Sequence, residues 1–382
     1  MKIDIKSWLL CGLITVSLYW CWLLPLVYAV IVLRRLYFHP LSTCPGTKLS
    51  IAFPTLYKLY RSFRRRGQFL FEIEELHRRY GPVVRFGIND LHVNDLQVYL
   101  GITKIGSRFR KDPRFYDRIS FRNTSLGFLD PYKHGARHTV LVNAAFSPRN
   151  IHDLADRIER KVAKLMNRLE EETVGGQPVS IHKCMKALSM DIISEITMGQ
   201  NVFLEQLHTI FKETSWIQKI LFTELAKPPI REYLERRNDS PANGELSDRA
   251  IVIDALTSTP ISKGGASIDF ETLSEEVGTL LTAGGDTVSS TMIFGIYQIC
   301  RNEEMYKTLR QELMDNLPMD ASITYERETL RTSNPLPGRL PRVVPPEPSK
   351  FDPSRWLLPN SKKLEQYMTS FYRETRQCLG QE

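Results

Sequence analysis

The segment from Trp8 to Leu33 most constrains how this chain folds, because it contains no charged residue over 26 positions. A helix of this length crosses the hydrocarbon core of a bilayer, which is about 30 Å thick. Trp20 and Trp22 supply the aromatic rings that favour membrane interfaces, and the basic pair Arg34-Arg35 follows the segment directly. Basic residues mark the cytosolic side of a membrane helix. The sequence therefore predicts a short tail (1–7), a transmembrane anchor (8–33) and a cytosolic body (34–382).

A cleaved signal peptide is the alternative interpretation of the same segment. Val27-Tyr28-Ala29 is an acceptable cleavage site, and cleavage there would leave a chain that begins at Val30. The length of the apolar stretch and the basic residues after it favour the anchor.

The charge balance restricts the partners of the chain. It has 51 basic and 43 acidic residues, a net charge of +8, which favours an anionic membrane surface or an acidic protein. The basic residues are dispersed and no nucleic-acid motif accompanies them, so no nucleic-acid partner is expected. The basic run from Arg61 to Arg66 is consistent with contact to anionic lipid or with a solvated helix face.

Hydrophobic periodicity predicts a mainly helical body. The predicted helices are 72–80, 151–171, 185–198 and 274–299, and the predicted hairpin pairs 83–88 with 91–93. Tyr37 to Gly46, with its prolines, is expected to be a loop, and the 7 prolines from Pro335 to Pro353 exclude a helix there. The helix 274–299 is apolar on nearly all sides, which predicts a central position with its polar cluster, 282–291, in the core.

Three motifs carry the candidate chemistry. In the central helix, Gly284-Gly285 weakens the hydrogen-bond ladder beside the acid Asp286 and the alcohol Thr287, which together can relay protons; a simple helix kink is the alternative. Glu328 and Arg331 are spaced to pair on one helix face. Cys378 follows the sequence Phe371-Tyr-Arg-Glu-Thr-Arg-Gln and can supply a thiolate, which donates electron density to iron.

In this order the motifs resemble those of the cytochrome P-450 haem-thiolate monooxygenases, in particular the membrane-anchored fungal type. The resemblance extends, with gaps, from about Trp8 to Gly380. The resemblance implies a mainly α, cytochrome P-450-like helical fold with small β-sheets after one N-terminal transmembrane helix. It implies haem b, with its iron held by the thiolate of Cys378. Arg376 would pair a haem propionate, and Arg342 is a second candidate for that role.

The resemblance also assigns roles to the other motifs. Asp286 and Thr287 would be the catalytic proton relay, and a structural lock beneath the haem would consist of Glu328, Arg331 and Arg355. The implied reaction inserts one oxygen atom of O2 into a small apolar substrate, in secondary metabolism. Electrons would come from an NADPH-dependent flavoprotein reductase, at the endoplasmic reticulum membrane.

Several departures from the family pattern support a competing hypothesis. The chain is shorter than family members, with internal gaps and an end at Glu382, before the helix expected after the cysteine. Glu374 stands where the family loop has glycine, and residues 134–138 only loosely match the helix that holds a propionate. The competing hypothesis is a non-catalytic, membrane-anchored remnant of the family with weak or no haem binding.

Overall fold

The computed structural model describes most of the chain in segments. These are residues 5–64, 69–116, 124, 130–147, 154–174, 176, 178–199, 217–239, 251–258, 268–316, 351–356, 359, 363–364, 367, 369–373 and 376–381. The chain divides into two compact units, Met1–Ile102 and Thr103–Glu382.

The first unit contains a long helix, short helices and a hairpin. Its elements are α1 (Ile5–Tyr37), α2 (Lys48–Ala52), α3 (Pro54–Arg64), α4 (Phe69–Tyr80), β1 (Val83–Arg85), β2 (Leu91–Val93) and α5 (Leu96–Thr103). The strands pair antiparallel, with Val84 opposite His92. The predicted hairpin is confirmed in a shorter form, because the chain turns between Phe86 and Asp90, whose carbonyl oxygen accepts the Phe86 amide at 3.2 Å.

The helix predicted over the charge-free segment is confirmed as part of α1. Of the described residues, Tyr19–Tyr37 form a helix that is long and apolar enough to cross a membrane, and its apolar window is not buried by protein. Pro25 lies inside α1 without ending it.

The connection after α1 is a loop, as predicted, and it is fastened to the hairpin by one buried arginine. Arg85 is only 1% exposed. Its guanidinium donates hydrogen bonds to the carbonyl oxygens of Arg35 at 3.1 Å, Leu41 at 3.3 Å and Ile88 at 2.8 Å. A Cβ at Gly46 would lie 1.9 Å from the carbonyl oxygen of Arg85, so only glycine permits this approach. The connection is therefore held to β1 at two places, by the hydrogen bonds of Arg85 to Arg35 and Leu41 and by the close approach of Gly46 to Arg85.

The second unit is helical in its described part. Its elements are α6 (Pro113–Tyr116), α7 (Pro131–Ala144), α8 (Ala155–Thr173), α9 (Ile181–Met198), α10 (Ile217–Asp239), α11 (Ile251–Ser258), α12 (Phe270–Arg301), α13 (Glu303–Asn316) and a 3₁₀ turn, Pro353–Trp356. The helix α12 packs against α9 and α10. Its buried residues join a core that includes Leu141, Met190, Ile230, Ile253, Val277 and Leu281. The predicted central helix is thus confirmed.

Helix boundaries differ from the prediction at the start of α12. The helix begins at Phe270, because the side chain of Asp269 accepts the backbone N–H of Thr272 at 2.9 Å and caps it. The helix predicted over 151–171 is observed from Ala155 to Thr173, and residues 151–153 lie outside the described residues.

The prediction that the polar cluster of α12 lies in the core is partly wrong. Gly285 and Ser289 are buried, whereas Ala283, Thr287 and Val288 are exposed. Among the described residues, α12 packs mostly against α9 and α10, and these two helices leave Ala283, Thr287 and Val288 exposed. An apolar composition therefore did not decide which side of this helix is covered.

Candidate functional site

The two glycines of α12 allow it to approach α9 closely. A Cβ at Gly285 would lie 2.0 Å from Sδ of Met190, and one at Gly284 would lie 2.8 Å from Cγ1 of Ile193. The hydroxyl of Ser189 donates to the Gly284 carbonyl oxygen at 3.2 Å. The helix stays continuous from Phe270 to Arg301, so helix packing accounts for the glycine pair without a local opening.

Hydroxyl groups of α12 donate to carbonyl oxygens one turn earlier. Thr287 Oγ1 donates to the Ala283 oxygen at 2.7 Å, and Ser289 Oγ donates to the Gly285 oxygen at 2.6 Å. Because a hydroxyl oxygen keeps lone pairs when its hydrogen is donated, the exposed Thr287 can still accept a hydrogen bond. Such bonds also tend to bend a helix.

The carboxylate of Asp286 is held by a lysine that the sequence motifs did not indicate. Lys186 Nζ on α9 lies 3.1 Å from Asp286 Oδ1, and the lysine side chain is 14% exposed whereas the aspartate side chain is 40% exposed. The pair therefore joins α9 to α12 at the candidate proton relay. No local spacing could have revealed Lys186, since it belongs to a different helix.

The cysteine loop is closed and docked on α7. The backbone N–H of Cys378 donates to the carbonyl oxygen of Phe371 at 2.8 Å, and Tyr372 adopts a left-handed conformation with φ of 55°. Nε2 of His138 lies 3.1 Å from the carbonyl oxygen of Gln377, and Leu379 packs against the buried core. The thiol of Cys378 is exposed and accessible to a ligand.

Basic side chains converge beside this loop. Burial, and then the charges of Arg376, His138 and Lys111, lower the pKa of His134 to about 4. Burial, and then Arg376, lower the pKa of Lys111 to about 8. The rings of His134 and His138 stack with their centroids 5.6 Å apart. We call these residues, Lys111, His134, His138 and Arg376, the basic cluster; an anion bound among them would relieve their mutual repulsion.

Arg137, which lies between His134 and His138 on α7, contacts a different partner. Its Nη1 lies 3.4 Å from Oε2 of Glu276 on α12, and the two side chains are 5% and 0% exposed. Burial lowers the pKa of Arg137, and the nearby Glu276 opposes that shift. Arg137 therefore ties α7 to α12, while the two histidines of the same helix belong to the basic cluster.

Only part of the predicted structural lock can be placed. Arg355 is 8% exposed, and its Nε lies 3.8 Å from Oδ2 of Asp352, in the 3₁₀ turn. Phe351 contacts the ring of Phe294 on α12 edge to face, with centroids 5.9 Å apart. The other predicted members and the second propionate candidate lie outside the described residues, as does the departure at position 374: Glu328, Arg331, Arg342 and Glu374. The lock remains a prediction.

Comparisons with known proteins identify the family. The family model for cytochrome P-450 matches residues 52–227 and 210–346. The cytochrome P-450 monooxygenase sol6 of Alternaria solani is 36% identical over 437 aligned positions, which cover 95% of this chain and 94% of sol6. The cytochrome P-450 monooxygenase macH of Penicillium terrestre is 26% identical over 92% of this chain and 85% of its own length.

The alignment and a solved structure bear on two further predictions. The alignment with sol6 is longer than the 382 residues of this chain, so it opens internal gaps in this chain, as predicted. The haem domain of cytochrome P-450DA is similar in fold, with a TM-score of 0.59 at 18% identity, covering 81% of this chain and 82% of that domain. The predicted fold class is confirmed, and the chain belongs to the cytochrome P-450 family.

Proposed function

We propose that this chain is a haem-dependent monooxygenase that inserts one oxygen atom of O2 into a small apolar substrate, and that Cys378 would hold the haem iron through its thiolate. The observation that carries the proposal is the closed loop around Cys378, docked on α7 beside the basic cluster. The family binds haem iron through a cysteine thiolate, and its redox partner, O2 and substrate complete the reaction.

The side chains near the loop fit a haem in charge and donor chemistry. An exposed thiol can bind iron as the thiolate. The basic cluster offers cationic partners for two propionates. Among the described residues, no group of three or more His, Cys, Asp or Glu comes together to hold a metal ion. A haem iron needs only one protein ligand on this side, because the porphyrin supplies the nitrogen ligands.

The bound haem would supply the iron at which O2 is activated and electrons are accepted. Cys378 would hold the iron and donate electron density to it, and Arg376 with Lys111 would neutralise the propionates. Arg342 remains a further candidate for a propionate contact.

Asp286 and Thr287 are proposed to deliver protons from solvent. The partly exposed carboxylate of Asp286 can take a proton from water, and Lys186 keeps that carboxylate in one place. Thr287 directs its hydrogen to the Ala283 oxygen, so its lone pairs can accept a hydrogen bond from a neighbouring donor. To pass a proton on, its O–H would turn from Ala283 to the acceptor and release that hydrogen as the oxygen receives another. Substrate would lie along the exposed side of α12.

The proposal includes a membrane location. Residues 8–33 would anchor the chain in the endoplasmic reticulum membrane with the body (34–382) in the cytosol, where an NADPH-dependent flavoprotein reductase can reach it. The exposed, apolar α1 supports the anchor, and the fungal monooxygenases among the relatives support a substrate from secondary metabolism.

A carbon-monoxide difference spectrum of the reduced protein tests the proposal. We expect a thiolate-type Soret band in the wild type, loss of that band in Cys378→Ala, and no change in Cys300→Ala, which removes another exposed thiol. An unchanged band in Cys378→Ala would refute the assignment of the ligand. If the wild type takes up no haem when haem is supplied, the non-catalytic remnant is the better description.

A further inference from the structure

We propose that His138 is a positioning residue for Cys378. Its ring N–H holds the carbonyl oxygen of Gln377, and the peptide unit fixed in this way sets the position of the thiol. His138 would then act on the backbone of the cysteine loop, while Arg376 and Lys111 are left to the haem propionates. This inference rests on the proposed function, in which Cys378 would hold the haem iron.

The first observation is that the peptide unit between Gln377 and Cys378 is held at both ends. Nε2 of His138 lies 3.1 Å from the Gln377 carbonyl oxygen, and the ring N–H donates because a carbonyl oxygen only accepts. The N–H of the same peptide unit belongs to Cys378 and donates to the carbonyl oxygen of Phe371 at 2.8 Å. A peptide unit is planar. Hydrogen bonds at its two opposite ends therefore fix its plane, and with it the Cα atom of Cys378.

The second observation is that the chain is also held on the other side of the cysteine. Leu379 packs against the buried core, to which Leu141 of α7 belongs. The thiol of Cys378 is exposed, so packing around the side chain contributes little to its direction. The direction of the thiol therefore depends on the backbone, which His138 fixes at the residue before it.

The third observation concerns the orientation of the His138 ring. It stacks on the ring of His134, one turn earlier on α7, with centroids 5.6 Å apart and an angle of 29° between the planes. His134 is only 7% exposed, and burial is the main reason that its pKa falls to about 4. At neutral pH the stack therefore places an uncharged, buried ring against His138, and this ring restricts the direction of its N–H.

The same geometry separates His138 from the cations of the basic cluster. The Nε2 atom carries one hydrogen, so it cannot serve a propionate while it donates to Gln377. Lys111 and Arg376 are cations close to each other, because burial, and then Arg376, lower the pKa of Lys111 to about 8. An anion between these two side chains would be stabilised by both charges. The basic cluster thus divides into cations for the propionates and a ring donor for the cysteine loop.

Three variants of the full-length chain separate the hydrogen bond from the ring. His138→Phe keeps a ring that can stack on His134 and removes the donor. His138→Gln places an amide N–H close to the position of Nε2. Lys133→Gln removes an exposed basic side chain from the same helix and is the matched control.

Hydrogen–deuterium exchange of the apoprotein, followed on peptides that contain the Cys378 amide, measures how firmly the loop is closed. Exchange should be about fivefold faster in His138→Phe, the factor expected for one lost hydrogen bond, and close to wild type in the other two variants. Exchange in peptides of α12 shows whether each variant stays folded.

The carbon-monoxide difference spectrum of the reduced, haem-loaded protein measures the position of the ligand. The fraction of bound haem with a thiolate-type Soret band should fall in His138→Phe and return in His138→Gln, because groups behind a ligand orient it. Faster exchange with an unchanged band would mean that the contact closes the loop without positioning the ligand, and would overturn the inference.

Two results of the exchange experiment would also overturn it. One is exchange in His138→Phe equal to that of the wild type, and the other is equally fast exchange in His138→Phe and His138→Gln, which would assign the effect to the shape of the ring. A wild type that takes up no haem, with faster exchange only in His138→Phe, would refute the proposed function and support the role of His138 in fixing the peptide unit that carries Cys378.

Discussion

Replacing Gly285 by alanine should destabilise the second unit, although alanine is the better helix former. A Cβ at this position would lie 2.0 Å from Sδ of Met190, a side chain that is 0% exposed and has little room to move. Overpacking of a filled core costs about 1–3 kcal/mol. Alanine in a helix interior is favoured over glycine by about 1 kcal/mol. We therefore expect a net loss of up to about 2 kcal/mol.

Gly135→Ala is the matched control, because Gly135 also lies in a helix but has no atom within 4 Å of its added Cβ. Both variants gain the same helix propensity, so the difference between them isolates the contact with Met190. Met190→Ala in the Gly285→Ala background should recover part of the loss, since it removes the colliding sulfur.

Denaturant unfolding in detergent, followed by far-ultraviolet circular dichroism, measures the three variants. The unfolding midpoints should shift, while the slope of the unfolding free energy against denaturant concentration stays the same. A changed slope would indicate an altered unfolded state. If Gly285→Ala is stabilised as much as Gly135→Ala, the close packing of α9 on α12 is not what the glycine provides, and the reasoning fails.

Three further predictions concern charged groups. Arg137→Met should lower the free energy of unfolding by about 3–5 kcal/mol at neutral pH, because it removes this cation from the buried Glu276. The loss of stability should shrink in acid, where the Glu276 carboxyl takes up a proton. A loss that does not depend on pH would contradict this prediction. The unfolded chain protonates His134 near pH 6.5 but the folded apoprotein only near its pKa of about 4. The contribution of His134 to stability should therefore be constant above pH 6.5 and fall on acidification through this window. Two and a half pKa units correspond to about 3 kcal/mol, which urea titrations at several pH values should show for the wild type and not for His134→Gln. In the haem-loaded protein, Lys186→Met should lower product formed per NADPH consumed, with Lys186→Arg retaining most of it; equal coupling in all three proteins would show that the contact with Asp286 is not used.

Local patterns in the sequence were sufficient for most of the helical framework. Helices α8, α9 and α12 were predicted because their apolar residues recur at helical spacing, a pattern that lies within one stretch of sequence. The cysteine loop was recognised by a different route, its resemblance to a family motif, and its role in binding haem stays a prediction. The hairpin was also predicted, although its turn takes more residues than the pattern suggested.

Contacts between helices could not be predicted in this way. The pairs Lys186–Asp286 and Arg137–Glu276 join residues about a hundred positions apart or more, and no periodicity records them. The spacing of His134 and His138 does predict that their rings meet, but the burial of His134 depends on packing. The exposed side of α12 was missed because composition reports how apolar a helix is and not which neighbours cover it.

The hydrogen bonds of Arg85 couple the orientation of α1 to that of the hairpin. With α1 in a bilayer, the angle of that helix depends on how its apolar length matches the thickness of the hydrocarbon layer. Because one guanidinium holds the end of α1, the following loop and the hairpin turn together, any tilt of α1 is transmitted to β1 and β2 instead of being absorbed by the connection. In the proposed membrane location, the thickness of the bilayer would therefore set the orientation of the hairpin.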